Sequence, residues 1–435
     1  MIPALPCPTV SGHPKDAAFC LQWGFKNTGQ TIVDRQCKAP GEITTDFCWE
    51  QTGTPGIDVN ILPAWEFTTG SPLVTVAVLD SGTAYCNPDF DAIRFFYPDI
   101  ALTCIGNESV GFPCCPDPGG PSETPCAFGP ARDNVGHGTF VASIIAAKVN
   151  NAIGIAGMDQ QCKLPSCRVF GDNGTGLIGS MTVPVNAARA VVALELIVSN
   201  PAYSSVRMIN ISDWMGNDPA AAQQLAAFED VVDLLAAKNR FVVAGAGNGG
   251  LGTADTGSPA KFASAITVGA IDSRGWRMAP PCSENHPLGS GTSSTGASLD
   301  FVAPGMAEVA LICQSNPCPS PECAYPAYPC RSDRYDKNFI SGTSVAAPKV
   351  ASAISLILAE AINMGVVNPT TWVGLSWQQV YDLLKAGARD QVSHTIAPEA
   401  DGLDTGGRDD DYGWGLIDVR ASLCELHRLY GSGCE

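Results

Sequence analysis

The sequence predicts an α/β fold with a mainly parallel central sheet flanked by helices. Short continuous apolar runs recur at Val74–Leu79, Val206–Ile211, Phe241–Ala246 and Ala265–Ala270, as expected of strands buried on both faces of a parallel sheet. Helix-like runs lie between them. In residues 220–238, Leu225, Phe228, Val232 and Leu235 fall at three- to four-residue spacing on one helix face. Strands alternating with helices are the pattern of a sheet crossed over by helices.

The elements follow in order. Residues 1–70 are turn-rich, hold four cysteines and show few periodic apolar positions, so they read as an arm tied down by disulfides. The first buried strand begins at Val74 and ends in Asp80-Ser81-Gly82, an acidic residue followed by turn chemistry. Residues 104–130, with Cys104, Cys114, Cys115 and Cys126 among many Pro and Gly, read as a surface insertion. Residues 137–149 read as a helix of small and apolar residues. A second Cys/Pro-rich loop spans 313–335, a buried alanine-rich helix 344–362 and an acidic loop 399–411. The expected organisation is an arm (1–70), one domain (71–423) and a tail (424–435) that carries Cys424 and Cys434.

Composition removes several classes. With 25 Lys+Arg against 43 Asp+Glu, the net charge is −18, which excludes nucleic-acid binding by bulk phosphate attraction and disfavours an anionic membrane surface. No stretch of about 18 apolar residues is read, so no bilayer-spanning segment is expected. Charged residues make up 16%, below the usual share of about 25%, which argues against long charged helices and coiled coils. The 18 cysteines include no C-x-x-C pair, so zinc ribbons and thioredoxin-type motifs find no support, and disulfides in an oxidising compartment are expected. Close spacing favours Cys37 with Cys48, Cys162 with Cys167 and Cys424 with Cys434, while the adjacent Cys114 and Cys115 are expected to join different partners. Residues 1–20 lack a basic start and a long apolar run, so no export signal is read there. An exported protein would then be represented by its mature form.

Three short segments carry chemistry. Asp80 ends a buried strand, where α/β sheets place ligands. His137 opens a helix between Gly136 and Gly138, and is one of only 5 histidines. Ser344, in Ser341-Gly342-Thr343-Ser344-Val345-Ala346-Ala347-Pro348, heads an apolar helix whose free N–H groups favour a developing anion. Taken singly, the Asp reads as a cap, the His as structural and the Ser as an N-cap. Together, in the order Asp, His, Ser, they supply a nucleophile, a base to take its proton and a carboxylate to orient the base.

These segments resemble those of subtilisin-like serine proteases, the subtilases. Val76-Ala77-Val78-Leu79-Asp80-Ser81-Gly82 resembles the family's Asp segment, His137-Gly138-Thr139 with Val141-Ala142 its His segment, and Gly342-Thr343-Ser344 with Ala346 and Pro348 its Ser segment. Tyr412–Asp418 resembles the closing strand-turn, and Gln22–Gln30 the start of many mature bacterial members. The resemblance runs from about Gln22 to Ala421 and implies a three-layer subtilisin-like fold. It further implies a secreted, monomeric serine endopeptidase of broad specificity, acting on proteins or peptides and made with a pro-segment. Neither nucleic acid nor membrane is an expected partner, and no organic cofactor is implied.

The resemblance also assigns site residues. Val242–Asn248 looks like the strand ending in the oxyanion-hole asparagine, so Asn248 would donate to the tetrahedral intermediate beside the Ser344 N–H. Gly174, Thr175 and Gly176 resemble one edge of the substrate cleft, Ser212, Asp213 and Trp214 the other, and Gly245, Ala246 and Gly247 the wall of the first pocket. Phe140 stands where the family often has a second His, Val345 where Met is common and Asp213 where an apolar residue is usual. An Asp213 facing the cleft would favour a basic substrate side chain. Structural calcium is implied at Asp89, Asn151 and the carbonyls of Ile153 and Ile155, hard oxygen donors of the kind calcium takes. Asp401, Asp404, Asp409, Asp410 and Asp411 form an acidic turn that could hold a second ion. The readings weighed against a broad endopeptidase are a processing protease selective for basic residues and a catalytically dead subtilase fold used for binding.

Overall fold

The computed structural model describes residues 10–34, 49–83, 87–91, 94, 133, 136–170, 183–213, 215–216, 218–250, 252, 254–279, 292–311, 339–390, 407–431 and 433–434. The chain opens with an antiparallel hairpin, β1 (Thr31–Asp34) and β2 (Trp49–Thr52), then a single turn, α1 (Ile61–Ala64). The central elements are β3 (Thr75–Asp80), α2 (His137–Ala146), β4 (Ser166–Arg168), α3 (Val183–Ser199), β5 (Val206–Ile211), α4 (Ala222–Ala237), β6 (Phe241–Gly245), β7 (Ala265–Ile271) and β8 (Phe301–Pro304). After them come β9 (Glu308–Val309), β10 (Phe339–Ile340), α5 (Thr343–Asn363), α6 (Trp377–Gly387) and α7 (Val419–Tyr430). The six-stranded sheet has the order β4-β3-β5-β6-β7-β8, and every pairing in it is parallel.

Alternation along the strands divides the core into two faces. Val76, Val78, Val243, Ile266 and Val268 pack with α2, α5, α6 and α7. Ala77, Leu79, Ile209, Ile211 and Val242 pack with α3 and α4. The result is three layers, helix on sheet on helix, as the sequence predicts. The predicted runs fall within about a residue of β3, β5, β6 and β7, and Leu225, Phe228, Val232 and Leu235 of α4 are buried.

Three expectations change. First, α5 is a stretch long and apolar enough to cross a bilayer by length and composition, although none was expected. It is 94% buried inside the protein, so its all-round apolarity is that of a core helix. Second, Cys162 is a free, buried thiol and does not pair with Cys167. The two side chains sit on opposite faces of the sheet, and the Cys162 sulfur instead accepts from Arg94 Nη2 at 3.3 Å. The sulfurs of Cys424 and Cys434 are within bonding distance, while Cys37, Cys48, Cys104, Cys114, Cys115, Cys126 and the loop 313–335 lie outside the described residues. Third, the segment before β3 is more than an arm. Trp23, Phe25, Val59 and Ile61 are buried in the main core. Trp23 Nε1 donates to Met306 O at 3.0 Å, and Gln22 exchanges two hydrogen bonds of 2.8 Å with the Ala156 backbone.

Candidate active site

The site forms at the carboxyl ends of adjacent strands, where α/β sheets open a crevice. Asp80 ends β3, Ser212 follows β5 and Asn248 lies three residues beyond β6. Since β3, β5 and β6 are consecutive in the sheet, these positions line one edge.

The Asp80 carboxylate is wholly buried. Its Oδ1 accepts from the Ser81 N–H at 2.7 Å and lies 2.8 Å from His137 Nδ1. That contact leaves Nε2 of the imidazole as the nitrogen directed away from the carboxylate. Burial disfavours the imidazolium, but the Asp80 charge and hydrogen bond, with the charges of Asp213 and Asp133, outweigh it and hold His137 above its usual range. Gly138 is required by close approach, because a Cβ there would lie 2.0 Å from Gly82 O. Phe140 packs on the imidazole with ring centroids 4.4 Å apart. The position where a second His is common therefore holds an apolar wall for the base.

Ser344 occupies the second position of α5, whose first-turn N–H groups have no intrahelical acceptor. Pro348 has no N–H to give the Ser344 carbonyl four residues back. Ser212 Oγ takes that acceptor at 3.1 Å, and Ser344 Oγ donates to Ser212 O at 2.7 Å. Asn210 Nδ2 in turn donates to Ser212 Oγ at 2.8 Å. The hydroxyl of Ser344 thus points to Ser212, and no hydrogen bond joins it to His137 among the described residues. The Asp80–His137 half of the expected relay is formed and the His137–Ser344 half is not. Loose contacts of this kind are usual in unliganded sites.

Asn248 is held through its oxygen. Oδ1 accepts from the Thr343 N–H at 3.0 Å, which leaves the amide NH2 as the free donor beside the start of α5. Gly247 N donates to Thr343 Oγ1 at 3.1 Å. A Cβ on Gly245 would lie 2.9 Å from the same oxygen, and Ala246 is fully buried. Gly245–Gly247 therefore lets β6 lie close against the start of α5. Asp213 is partly buried and follows Ser212 at the end of β5. Gly174, Thr175, Gly176 and Trp214 lie outside the described residues.

Of the expected calcium ligands, the Asp89 and Asn151 side chains come together, as hydrogen-bonding partners. Asp89 Oδ1 accepts from Asn151 Nδ2 at 2.7 Å, and Asp89 Oδ2 accepts from the Ile155 N–H at 2.9 Å. Asn151 Oδ1 accepts from the Ile153 N–H at 3.0 Å. Two N–H groups therefore face the Asp89 carboxylate, where a cation would need oxygens. Burial raises Asp89 to about 7, with the nearby Asp16 carboxylate adding to the shift. Asp16 in turn accepts from the Asn150 and Asn151 N–H groups. In the acidic turn, Asp409 Oδ1 accepts from the Asp411 and Tyr412 N–H groups, and Asp401 and Asp404 are outside the described residues. Among the described residues no group of three or more His, Cys, Asp or Glu is placed to share a metal.

Two further side chains, Asn210 and Asp133, bond to residues of the site without having been expected there. Asn210 sits inside an apolar strand, and the N-x-S triplet it opens is a chance match in a buried element. Asp133 carried a usable signal, an acidic residue just ahead of a helix start.

Comparisons with known proteins bear on the family and the fold. The family model described as the subtilase family matches residues 72–415. A thermophilic serine proteinase of Bacillus sp. (strain AK1) is 30% identical over 300 residues, covering 69% of this chain and 56% of its own length. Subtilisin E of Bacillus subtilis (strain 168) is 30% identical over 294 residues, 67% of this chain and 57% of its own length. The chain thus spans a little over half the length of these relatives. Among solved structures, a serine protease of Aeromonas sobria superposes with a TM-score of 0.61 at 18% identity, over 98% of this chain and 70% of that one. A protease from Pseudoalteromonas arctica PAMC 21717 gives 0.58 at 21% identity, over 95% and 99%; both likenesses speak to the fold. With its motifs, its sheet order and its site on one strand edge, the chain belongs to the subtilase family.

Proposed function

We propose that the protein is a secreted serine endopeptidase that hydrolyses peptide bonds through an acyl-enzyme on Ser344. The observation that carries the reading is the 2.8 Å contact between the buried Asp80 carboxylate and His137 Nδ1, on the same sheet edge as a serine at a helix start. When substrate enters, the Ser344 side chain turns from Ser212 O to His137 Nε2. The Oγ–H proton passes to Nε2 as the Oγ–C bond forms, and the carbonyl oxygen becomes an oxyanion. Asn248 Nδ2 and the Ser344 N–H donate to it. The imidazolium, oriented by Asp80, then gives its proton to the departing amine as the C–N bond breaks. Water attacks the ester by the same route and frees the enzyme. Calcium has no part in these steps.

The peptide lies as an added strand along the cleft, with Gly174–Gly176 and Ser212–Trp214 as its edges and Gly245–Gly247 behind the first pocket. The peptidase domain is taken as residues 71–423, with protein or peptide substrates, a pro-segment in the precursor and a monomeric working form. The charge of Asp213 reaches His137, which favours a second reading in which basic residues before the cut are preferred. Digestion of a diverse peptide library tests both. Cleavage by the wild type and none by Ser344→Ala is expected. Cuts confined to basic residues would select the narrow reading, and an inert, folded wild type would overturn the endopeptidase.

A further inference from the structure

We propose that Asp133 is a positioning residue for the Asp80–His137 pair, tying the start of the helix that carries the base to the residue that follows the orienting carboxylate. Asp133 is 3% exposed. Its Oδ1 accepts from Ser81 Oγ at 2.9 Å and from the Gly136 N–H at 2.7 Å. Its Oδ2 accepts from the Thr139 N–H at 2.9 Å and from Thr139 Oγ1 at 2.6 Å. Ser81 Oγ, while donating to Asp133, accepts from the Gly138 N–H at 2.9 Å. The bonds close a ring that runs from Asp80 to Ser81, to Asp133, to the first turn of α2 and through His137 Nδ1 back to Asp80 at 2.8 Å.

The chemistry of the ring requires a carboxylate. Each of these partners offers Asp133 a proton, so its two oxygens must both accept. Two orphan N–H groups at the start of α2 are satisfied in this way, Thr139 by Asp133 and Gly138 by Ser81. An amide in the same place would turn an NH2 toward donors, and one side of the ring would open. A displacement of about 1 Å at a reacting group is enough to slow turnover roughly 100-fold. Asp133 also adds negative charge near the imidazole, which Asp80 and Asp213 face as well.

The inference rests on His137 and Ser344 acting as proposed above, and the experiment separates the two. Wild type, Asp133→Asn and Ser81→Ala are titrated with a fluorophosphonate, and kcat is counted per labelled site. Asp133→Asn is expected to lower kcat roughly 10- to 100-fold with KM within about twofold. It should also move the acid limb of kcat/KM to lower pH, because removing an anion eases deprotonation of the base. Ser81→Ala, which keeps the charge, is expected to lower kcat in the same direction without that pH shift. It also carries the test should Asp133→Asn fail to fold. Variants that lose melting temperature but keep kcat per site and the pH limb would overturn the positioning role. A wild type that is not labelled at Ser344 would instead sink the parent reading.

Discussion

The oxyanion role proposed for Asn248 rests on one hydrogen bond. Because its oxygen is occupied by the Thr343 N–H at 3.0 Å, the NH2 group is the end left for the intermediate. Asn248→Ala is therefore expected to lower kcat by roughly 100- to 1000-fold while KM changes little, the signature of an interaction made only in the transition state. Steady-state kinetics on a peptide substrate check this, and a rise in KM at constant kcat would place Asn248 in ground-state binding instead. At this scale the sequence was readable where a residue sits inside a local signature. Asp80, His137 and Ser344 each end a strand or open a helix. Asp133 offered only its place ahead of a helix start, and Asn210, inside an apolar strand, offered less. Their roles come from partners such as Ser212, itself bonded to a residue 132 positions on, and Ser81, 52 positions back.

At the scale of elements, α5, which carries Ser344, is anchored by a fully buried ion pair. Lys349 Nζ donates to Pro304 O at 2.9 Å and to Val345 O at 3.2 Å, and lies 3.6 Å from Glu308 Oε2. Burial pushes the lysine down and the glutamic acid up, and each partner's charge opposes the shift of the other. The pair joins α5 to the end of β8 and to β9. Lys349→Met strands the carboxylate and is expected to cost about 3–5 kcal/mol, with much of that recovered in Lys349→Met/Glu308→Gln. Urea unfolding measures both, and a double variant no more stable than the single one would contradict the account. The central strands were legible because two-faced burial leaves continuous apolar runs. The three-residue β4 and two-residue β9 were not, since strands so short are defined by their neighbours rather than by their own pattern. For α6 the signal existed. Ser376 and Gln379 form a capping box, a pattern visible in the sequence as Ser-x-x-Gln.

For the whole molecule, titration of buried carboxyls sets the trend of stability with pH. Burial raises Asp89 to about 7 and Asp300 to about 6, and His137 also stands above its usual range. A group whose folded pKa exceeds its unfolded one stabilises fully below the unfolded pKa and loses that contribution as pH rises through the folded one. All three act in the same direction, and the net charge of −18 adds self-repulsion above neutrality. Melting of Ser344→Ala, used to prevent self-digestion, is expected to give a higher Tm at about pH 5 than at about pH 8. Melts with and without EDTA are expected to superpose, because N–H groups already occupy the Asp89 carboxylate. A Tm that rises with pH, or a large drop on chelation, would contradict this.

The central claim is that positions 80, 137 and 344 work as one unit, and it is tested most directly by mapping the adduct of a fluorophosphonate by mass spectrometry. A single adduct on Ser344, formed by the wild type and lost in His137→Ala, is predicted. A folded wild type that stays unmodified, or carries its label on another residue, would contradict it.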